Sequence, residues 1–269
     1  MKPIEVFEQN FRNAEAMLSL HKLLMDRDIG KNPDDFRQIV HQHFSISGDE
    51  ETVIVLNEML HALVRDCASL KKSFFAEKNL NLLLRQAIVA TCSAMDVYCN
   101  DILKEYVMTV IQKKGRQSPK TLKEIPMTLD EYLSIKAYEN PDDRLKQIIL
   151  SKFEKITLGN INGITDTIEG CLGIEEYWKK VSDKMGKRQR DLKNEIDDIV
   201  KRRNDIIHRG DRKKNLTEID PEIQNIDFGW TYSHVHAVKS LIINTDDIII
   251  QEFAPTQPPE IPEDAPLQS

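Results

Sequence analysis

The residues best suited to chemistry in this chain of 269 residues are an arginine, an asparagine and a histidine close together. They are Arg203, Asn204 and His208. A planar guanidinium binds carboxylate or phosphate oxygens, and an imidazole exchanges protons near neutral pH. This combination is suited to reactions at a phosphate, in which the arginine holds the anion and the histidine transfers a proton.

These residues belong to a predicted amphipathic helix over Lys187–His208, and Arg203 falls in the middle of its apolar stripe. The stripe consists of Leu192, Ile196, Ile199, Ile206 and Ile207. A guanidinium held against a core needs an anion, because an unpaired buried charge is costly. Either a carboxylate of a neighbouring helix or the phosphate of a substrate meets this need. Gly210 is well situated to end the helix.

A second predicted helix, Asn79–Ile111, also has charged residues on a face whose other residues are typical of a buried core. Arg85 and Asp96 are 11 residues apart and therefore lie within about 20° of one another on an ideal helix. One interpretation is structural: Asp96 pairs with Arg203, and Arg85 finds another partner. The other is that Arg85 and Asp96 hold Arg203 and His208 in position. Both interpretations can hold at once.

The charge of the chain is segregated. Its formal net charge is −7, yet the segment Lys179–Lys214 contains 14 Lys/Arg against seven Asp/Glu. The basic excess therefore surrounds the Arg203/His208 pair, and the acidic total does not exclude a nucleic-acid partner. A charged run is also typical of a solvated helix face, so the excess by itself assigns no function.

The chain as a whole predicts an all-α fold, because glycines are few and the alternation typical of strands is missing. A helical domain is expected over residues 1–253, followed by a disordered, acidic, proline-rich tail over 254–269. The predicted helices are, approximately, Ile4–Met25, Asp34–Phe44, Glu50–Phe75, Asn79–Ile111, Leu129–Ala137, Asp142–Ile156, Ile174–Met185, Lys187–His208 and Trp230–Phe253. Loops are predicted at Gly115–Met127 and Leu158–Gly163.

Several other function classes are disfavoured. No apolar run approaches the roughly 20 residues that span a bilayer, and the first residues lack the apolar segment of a signal peptide, so a cytoplasmic location is expected. The four cysteines predict reduced core thiols. The pairs His41/His43 and His234/His236 have a spacing that opposes them across a helix, which disfavours a metal site. Trp230 and Tyr232 are expected to be core anchors rather than base-stacking platforms.

At these residues the chain resembles the HEPN superfamily, whose signature is an arginine, four to six residues and a histidine, with a polar residue after the arginine. Arg203, Asn204 and His208 match that pattern. The helix around Arg85 and Asp96 is similar to the other core helix of the RiboL-PSP-HEPN subgroup, in which an acidic residue, often Glu, occupies the position of Asp96. The opening helix from Phe7 also resembles that subgroup. The resemblance implies an all-α HEPN-type bundle with additional helices.

The resemblance also implies an activity: endonucleolytic cleavage of RNA with neither metal nor cofactor, by attack of the ribose 2′-hydroxyl on the adjacent phosphorus. Arg203, Asn204 and His208 would be catalytic, with Arg85 and Asp96 in support. The basic residues that we expect to bind RNA are Lys201, Arg202, Arg209 and Arg212. On an ideal helix Arg203 and His208 are roughly 140° apart, and HEPN nucleases pair two protomers across this helix, so a homodimer is expected.

Members of this group often act as toxins or in defence against phage, which implies a neutralising or regulatory protein partner and no membrane partner. Two alternatives stay open. The chain is either a HEPN-like module that binds RNA or protein without cutting, or a purely structural protein in which Arg203 forms a buried ion pair. In the structural case, Arg203→Ala should destabilise the fold by several kcal/mol.

Overall fold

The computed structural model describes residues 1–25, 51–57, 60–65, 77–153, 159–213 and 222–254. The predicted helix Asp34–Phe44, the predicted tail beyond residue 254, Cys67 and the pair His41/His43 lie outside these residues. Cys92, Cys99 and Cys171 are free and buried, as the sequence predicts for core thiols.

The described part of the chain is an all-α bundle, as predicted, with one small hairpin beside it. A 3₁₀ turn over Gly115–Gln117 and a π-helical turn over Asp166–Cys171 interrupt the series of helices. The elements are α1 (Pro3–Met25), β1 (Glu51–Asn57), β2 (Leu60–Arg65), α2 (Glu77–Lys114), α3 (Lys120–Lys123), α4 (Leu129–Ala137), α5 (Pro141–Phe153), α6 (Ile161–Thr165), α7 (Tyr177–Lys184), α8 (Gln189–Arg209) and α9 (Phe228–Phe253).

Helix α2 is the centre of the bundle, and α1, α8 and α9 pack around it. Phe7, Met95, Ile196 and Val238 come from these four helices and are all completely buried in one core cluster. By length and composition, the segment Lys78–Gln117 could also cross a membrane. Half of its most apolar window is buried inside the bundle, and a core helix can meet the same criteria of length and composition.

Local capping explains where several helices begin and end. Thr128 and Glu131 form a capping box at the start of α4, with each side chain bonded to the other residue's backbone N–H. Asp227 accepts a hydrogen bond of 2.8 Å from the backbone N–H of Trp230 at the start of α9. Gly210 ends α8 with a φ of 58°, a left-handed conformation that glycine adopts without steric cost, as the sequence predicts.

The predicted helix over Glu50–Phe75 is wrong in its described parts. Residues 51–57 and 60–65 instead form an antiparallel hairpin in which Val53 lies opposite Leu63. The physical reason is the consecutive β-branched residues from Thr52 to Val55, which lose side-chain freedom in a helix and fit a strand. A second difference is the predicted loop Leu158–Gly163, part of which forms α6 and leads into the π-helical turn.

Candidate functional site

The candidate site lies near the C-terminal end of α8, which the bundle holds in a fixed orientation. Leu192, Ile196 and Ile199 are buried against the core, so the opposite face of the helix is directed outward. The apolar stripe does not continue to the end of the helix as predicted. Ile206 still packs partly against the core, whereas Ile207 is 50% exposed.

One pocket contains all three residues of the predicted catalytic set. It has a volume of about 330 Å³ and is lined by Cys92, Gly159, Asn160, Val200, Arg203, Asn204 and His208. The angular separation of Arg203 and His208 on an ideal helix therefore does not keep them apart within one chain. Backbone angles alone underestimate the reach of an arginine, whose long side chain extends well beyond its own position on the helix.

The guanidinium of Arg203 has no ion-pair partner among the described residues. Its Nη1 donates a hydrogen bond of 3.0 Å to Oδ1 of Asn204, and its Nε is buried with no hydrogen-bond partner in the part of the chain that the structure describes. The predicted ion pair between Asp96 and Arg203 does not form in the described part of the chain. A buried cationic donor without an acceptor is costly, so the pocket is electrostatically suited to an anion.

Asp96 contributes to the pocket through its wall rather than through Arg203. Its Oδ1 accepts a hydrogen bond of 2.8 Å from the backbone N–H of Gly159. A Cβ atom at Gly159 would lie 2.9 Å from the backbone of Asp96, so only glycine permits this close approach. Asp96 and Gly159 thus hold the Gly159–Asn160 segment against α2, opposite the motif helix.

Cys92 lines the pocket as a neutral thiol. Burial raises its pKa to about 12, although the nearby Arg203 acts in the opposite direction and lowers it. Its Sγ donates a long contact of 3.9 Å to the carbonyl oxygen of Ile199. Because the thiolate is the nucleophilic form of cysteine, Cys92 is unsuited to attack a substrate at neutral pH.

Arg85 belongs to a buried charged cluster just beyond the end of α8. Its Nε lies 2.6 Å from Oδ2 of Asp211, and Arg202 lies 2.8 Å from both carboxylate oxygens of the same residue. Both arginines also donate to the backbone oxygen of Gln224. Asp211 is completely buried and has a φ of 62°, so this cluster fixes the chain immediately after Gly210.

This cluster corrects one prediction and adds one residue. Arg202 is not a free RNA-binding cation, because its side chain is only 16% exposed and is bonded to Asp211. Sequence reasoning missed Asp211. The sequence does contain a signal that could have identified Asp211, because an acidic residue directly follows the glycine that ends a basic helix. Among the described residues, Arg85 bonds to Asp211 and Gln224 and not to Arg203 or His208, and its support of the site stays a prediction.

The other predicted RNA-binding residues are at least partly exposed, and each of them takes part in an interaction within the protein. Lys201 pairs with Asp197 at 2.5 Å, and Arg209 pairs with Asp205. The backbone of Arg212 forms a bridge with Ile223. Their contact with RNA stays a prediction, and the ion pairs reduce the effective positive charge of the surface.

The two aromatic residues at the start of α9 differ in exposure. The ring of Trp230 is partly buried and stacks on His234, with 4.0 Å between the ring centres. Tyr232 is 48% exposed, so the expectation that it is a core anchor is wrong. The periodicity of α9 correctly predicts which face of the helix is buried. It does not show that Tyr232 lies next to that face rather than on it.

Comparison with known proteins adds one match. The sequence profile described as RiboL-PSP-HEPN, a HEPN-type family, matches residues 58–251, which is more than half of the chain and includes both α2 and α8. Neither the curated proteins nor the solved structures include a significant match to the chain.

Proposed function

The chain belongs to the RiboL-PSP-HEPN family, and on that premise we propose that it is an endoribonuclease that cleaves RNA without a metal ion. Membership of this family indicates a nuclease or RNA-related function. The observation that carries the finer proposal is the guanidinium of Arg203, which lacks an ion-pair partner among the described residues and shares an open pocket with Asn204 and His208.

In the proposed reaction, the ribose 2′-oxygen forms a bond to the adjacent phosphorus while the bond from phosphorus to the 5′-oxygen breaks. The products are a 2′,3′-cyclic phosphate and a free 5′-hydroxyl. A proton leaves the 2′-hydroxyl and another reaches the departing 5′-oxygen. His208 is the proposed group for one of these transfers, because an imidazole accepts and donates protons near neutral pH.

Arg203 and Asn204 would stabilise the negative charge that develops on the phosphoryl oxygens. The hydrogen bond between them holds the guanidinium in place, and the Asn204 amide group keeps its own N–H donors available. Preorganised donors of this kind commonly account for about 3–4 kcal/mol of transition-state stabilisation each. Asp96 and Gly159 are positioning residues in this mechanism, because they hold the opposite wall of the pocket.

The test is incubation of RNA with the protein in excess EDTA, followed by analysis of the product ends. We expect the wild type to leave cyclic phosphates and His208→Ala to be inactive. His234→Ala is the matched control, because it removes a histidine of α9 that does not line the pocket. Cleavage that persists in His208→Ala, or that requires a divalent metal, would contradict the mechanism.

A second candidate is a HEPN-like module that binds RNA or a protein without cutting. One observation favours it: no hydrogen bond within the described residues orients the exposed ring of His208, whereas catalytic histidines are commonly held by a partner. If neither the wild type nor His208→Ala cuts RNA and both bind it equally well, this second function replaces the first.

The proposal includes a homodimer in which two copies of the motif helix face each other. Its support is the end of α8, where the half-exposed Ile207 lies next to the exposed His208. An apolar side chain beside a catalytic group is suited to an interface that orders the histidine ring. Light scattering should give twice the mass of the chain for the wild type and a lower average mass for Ile207→Asp.

The proposal also includes a biological role: the protein arrests growth or defends against phage in the cytoplasm, and a neutralising protein restrains it. It follows from the family resemblance, and it is testable in a bacterial host with inducible expression. We expect the wild type to stop growth and His208→Ala to permit it. Equal growth of the two cultures would contradict a toxic nuclease.

A further inference from the structure

A second cavity lies beside the proposed catalytic pocket along α8. This cavity has a volume of about 460 Å³ and shares Asn160, Val200 and Asn204 with the pocket that contains Arg203 and His208. Its other lining residues come from α6 and from positions of α8 closer to its N-terminus: Ile161, Asn162, Lys193, Asn194, Asp197 and Lys201. The two cavities are neighbours along α8 because they share these wall residues, and we call them together the α8 groove.

Two side-chain amides and a lysine without an ion pair within the described residues line the far end of the α8 groove. The side-chain amides of Asn162 and Asn194 form no hydrogen bond within the described residues, and both residues are exposed. Lys193 has no carboxylate partner there either, and its Nζ lies 5.0 Å from the centre of the Trp178 ring. These groups differ from Lys201 and Asp197, which neutralise each other at the same rim.

The chemistry of these groups matches a nucleotide. A carboxamide presents a donor and an acceptor in one plane, as does the edge of a nucleobase, so one amide forms two parallel hydrogen bonds with a base. The Lys193 ammonium contacts the Trp178 ring but no carboxylate of the described residues, so it is suited to a phosphate. The base must be unpaired for its edge to be accessible, because the deep major groove of double-stranded RNA excludes side chains.

We propose that the α8 groove binds the nucleotide next to the scissile phosphate in single-stranded RNA. Asn194 and Asn162 contact its base, and Lys193 contacts a phosphate. This inference rests on the proposed function, because the reacting phosphate occupies the Arg203 end of the same groove. Sequence preference at that flanking nucleotide then comes from the two amides rather than from the basic residues of α8.

The test compares Asn194→Ala with Asn13→Ala, which removes an exposed asparagine of α1 that lines no part of the groove. Alanine favours a helix at both positions, so both variants should fold. With unstructured oligoribonucleotides that vary at one flanking position, we expect Asn194→Ala to lower kcat/KM about three- to tenfold, mainly through KM, and to reduce the preference among the four bases. Asn13→Ala should match the wild type.

An Asn194→Ala variant that keeps both the kcat/KM and the base preference of the wild type would overturn the groove assignment. A binding measurement tests the groove independently of cleavage. It compares the affinity of His208→Ala and of His208→Ala/Asn194→Ala for the same oligonucleotides carrying a fluorescent label. If no protein cuts RNA but the second variant binds several-fold more weakly, the groove assignment stands without the nuclease. If both variants bind single-stranded RNA equally well, or bind duplex RNA better, the assignment is wrong.

Discussion

Replacing Arg203 by alanine should remove activity with almost no loss of stability, and this combination separates a functional arginine from a structural one. Within the described residues the guanidinium forms a single hydrogen bond, to Asn204, and its buried Nε has no partner there. The lost bond costs about 0.5–1.5 kcal/mol, whereas removal of an unsatisfied buried donor returns about 1–3 kcal/mol. The net effect lies between a loss of about 0.5 kcal/mol and a gain of about 2.5 kcal/mol, so we expect the free energy of unfolding to fall by no more than about 0.5 kcal/mol.

Asp211 provides the contrasting case in the same region. Its carboxylate is completely buried between the side chains of Arg85 and Arg202, which are only 13% and 16% exposed. Asp211→Ala leaves two buried cations without their anion, and breaking a buried ion pair in this way costs about 3–5 kcal/mol. The stability of the domain should therefore depend on Asp211 far more than on Arg203.

The assay is urea denaturation of the wild type and the two variants, with Arg116→Ala as a control for loss of an exposed arginine. RNA cleavage measured on the same samples should fall at least about 100-fold in Arg203→Ala and stay unchanged in Arg116→Ala. If Arg203→Ala lowers the free energy of unfolding as much as Asp211→Ala does, Arg203 is a structural residue and its assignment to the phosphate is refuted.

Three further predictions concern other parts of the molecule. Gly159→Ala should reduce cleavage and destabilise the fold by about 1–3 kcal/mol, because its Cβ would lie 2.9 Å from the backbone of Asp96; a variant with wild-type melting and activity would contradict the close approach. Cys92 should resist iodoacetamide at pH 8, since burial raises its pKa to about 12; rapid labelling of the folded protein, detected by mass spectrometry, would disprove this. Burial and the nearby Lys239 lower the pKa of His236 below its ordinary value of 6.5, against the opposing effect of Glu15. The neutral imidazole therefore contributes stability above pH 6.5, and this contribution is lost as the pH falls. Urea denaturation between pH 7.5 and 5 should show a smaller decline in the free energy of unfolding for His236→Gln than for the wild type. Equal declines in the two proteins would refute the assignment.

Local patterns in the sequence predicted most of the helices and the position of the motif. Apolar spacing predicted α1, α2, α8 and α9 to within a few residues, and Gly210 correctly predicted the end of α8. These signals succeed because a helix is decided by interactions between residues at most four positions apart and by its caps. The same locality explains the error at residues 51–65, where similar apolar content formed a hairpin through pairing between two segments.

What the sequence by itself determined was the list of reactive groups: an arginine, an asparagine and a histidine at the end of a basic helix, in a pattern that resembles HEPN proteins. The partner of each charge was decided only by tertiary structure. Arg85 pairs with a carboxylate 126 positions away, and Asp96 binds an amide 63 positions away, whereas Arg203 is left without an ion pair in the described part of the chain. Electrostatic partners depend on distance in space, which no local pattern in the sequence records.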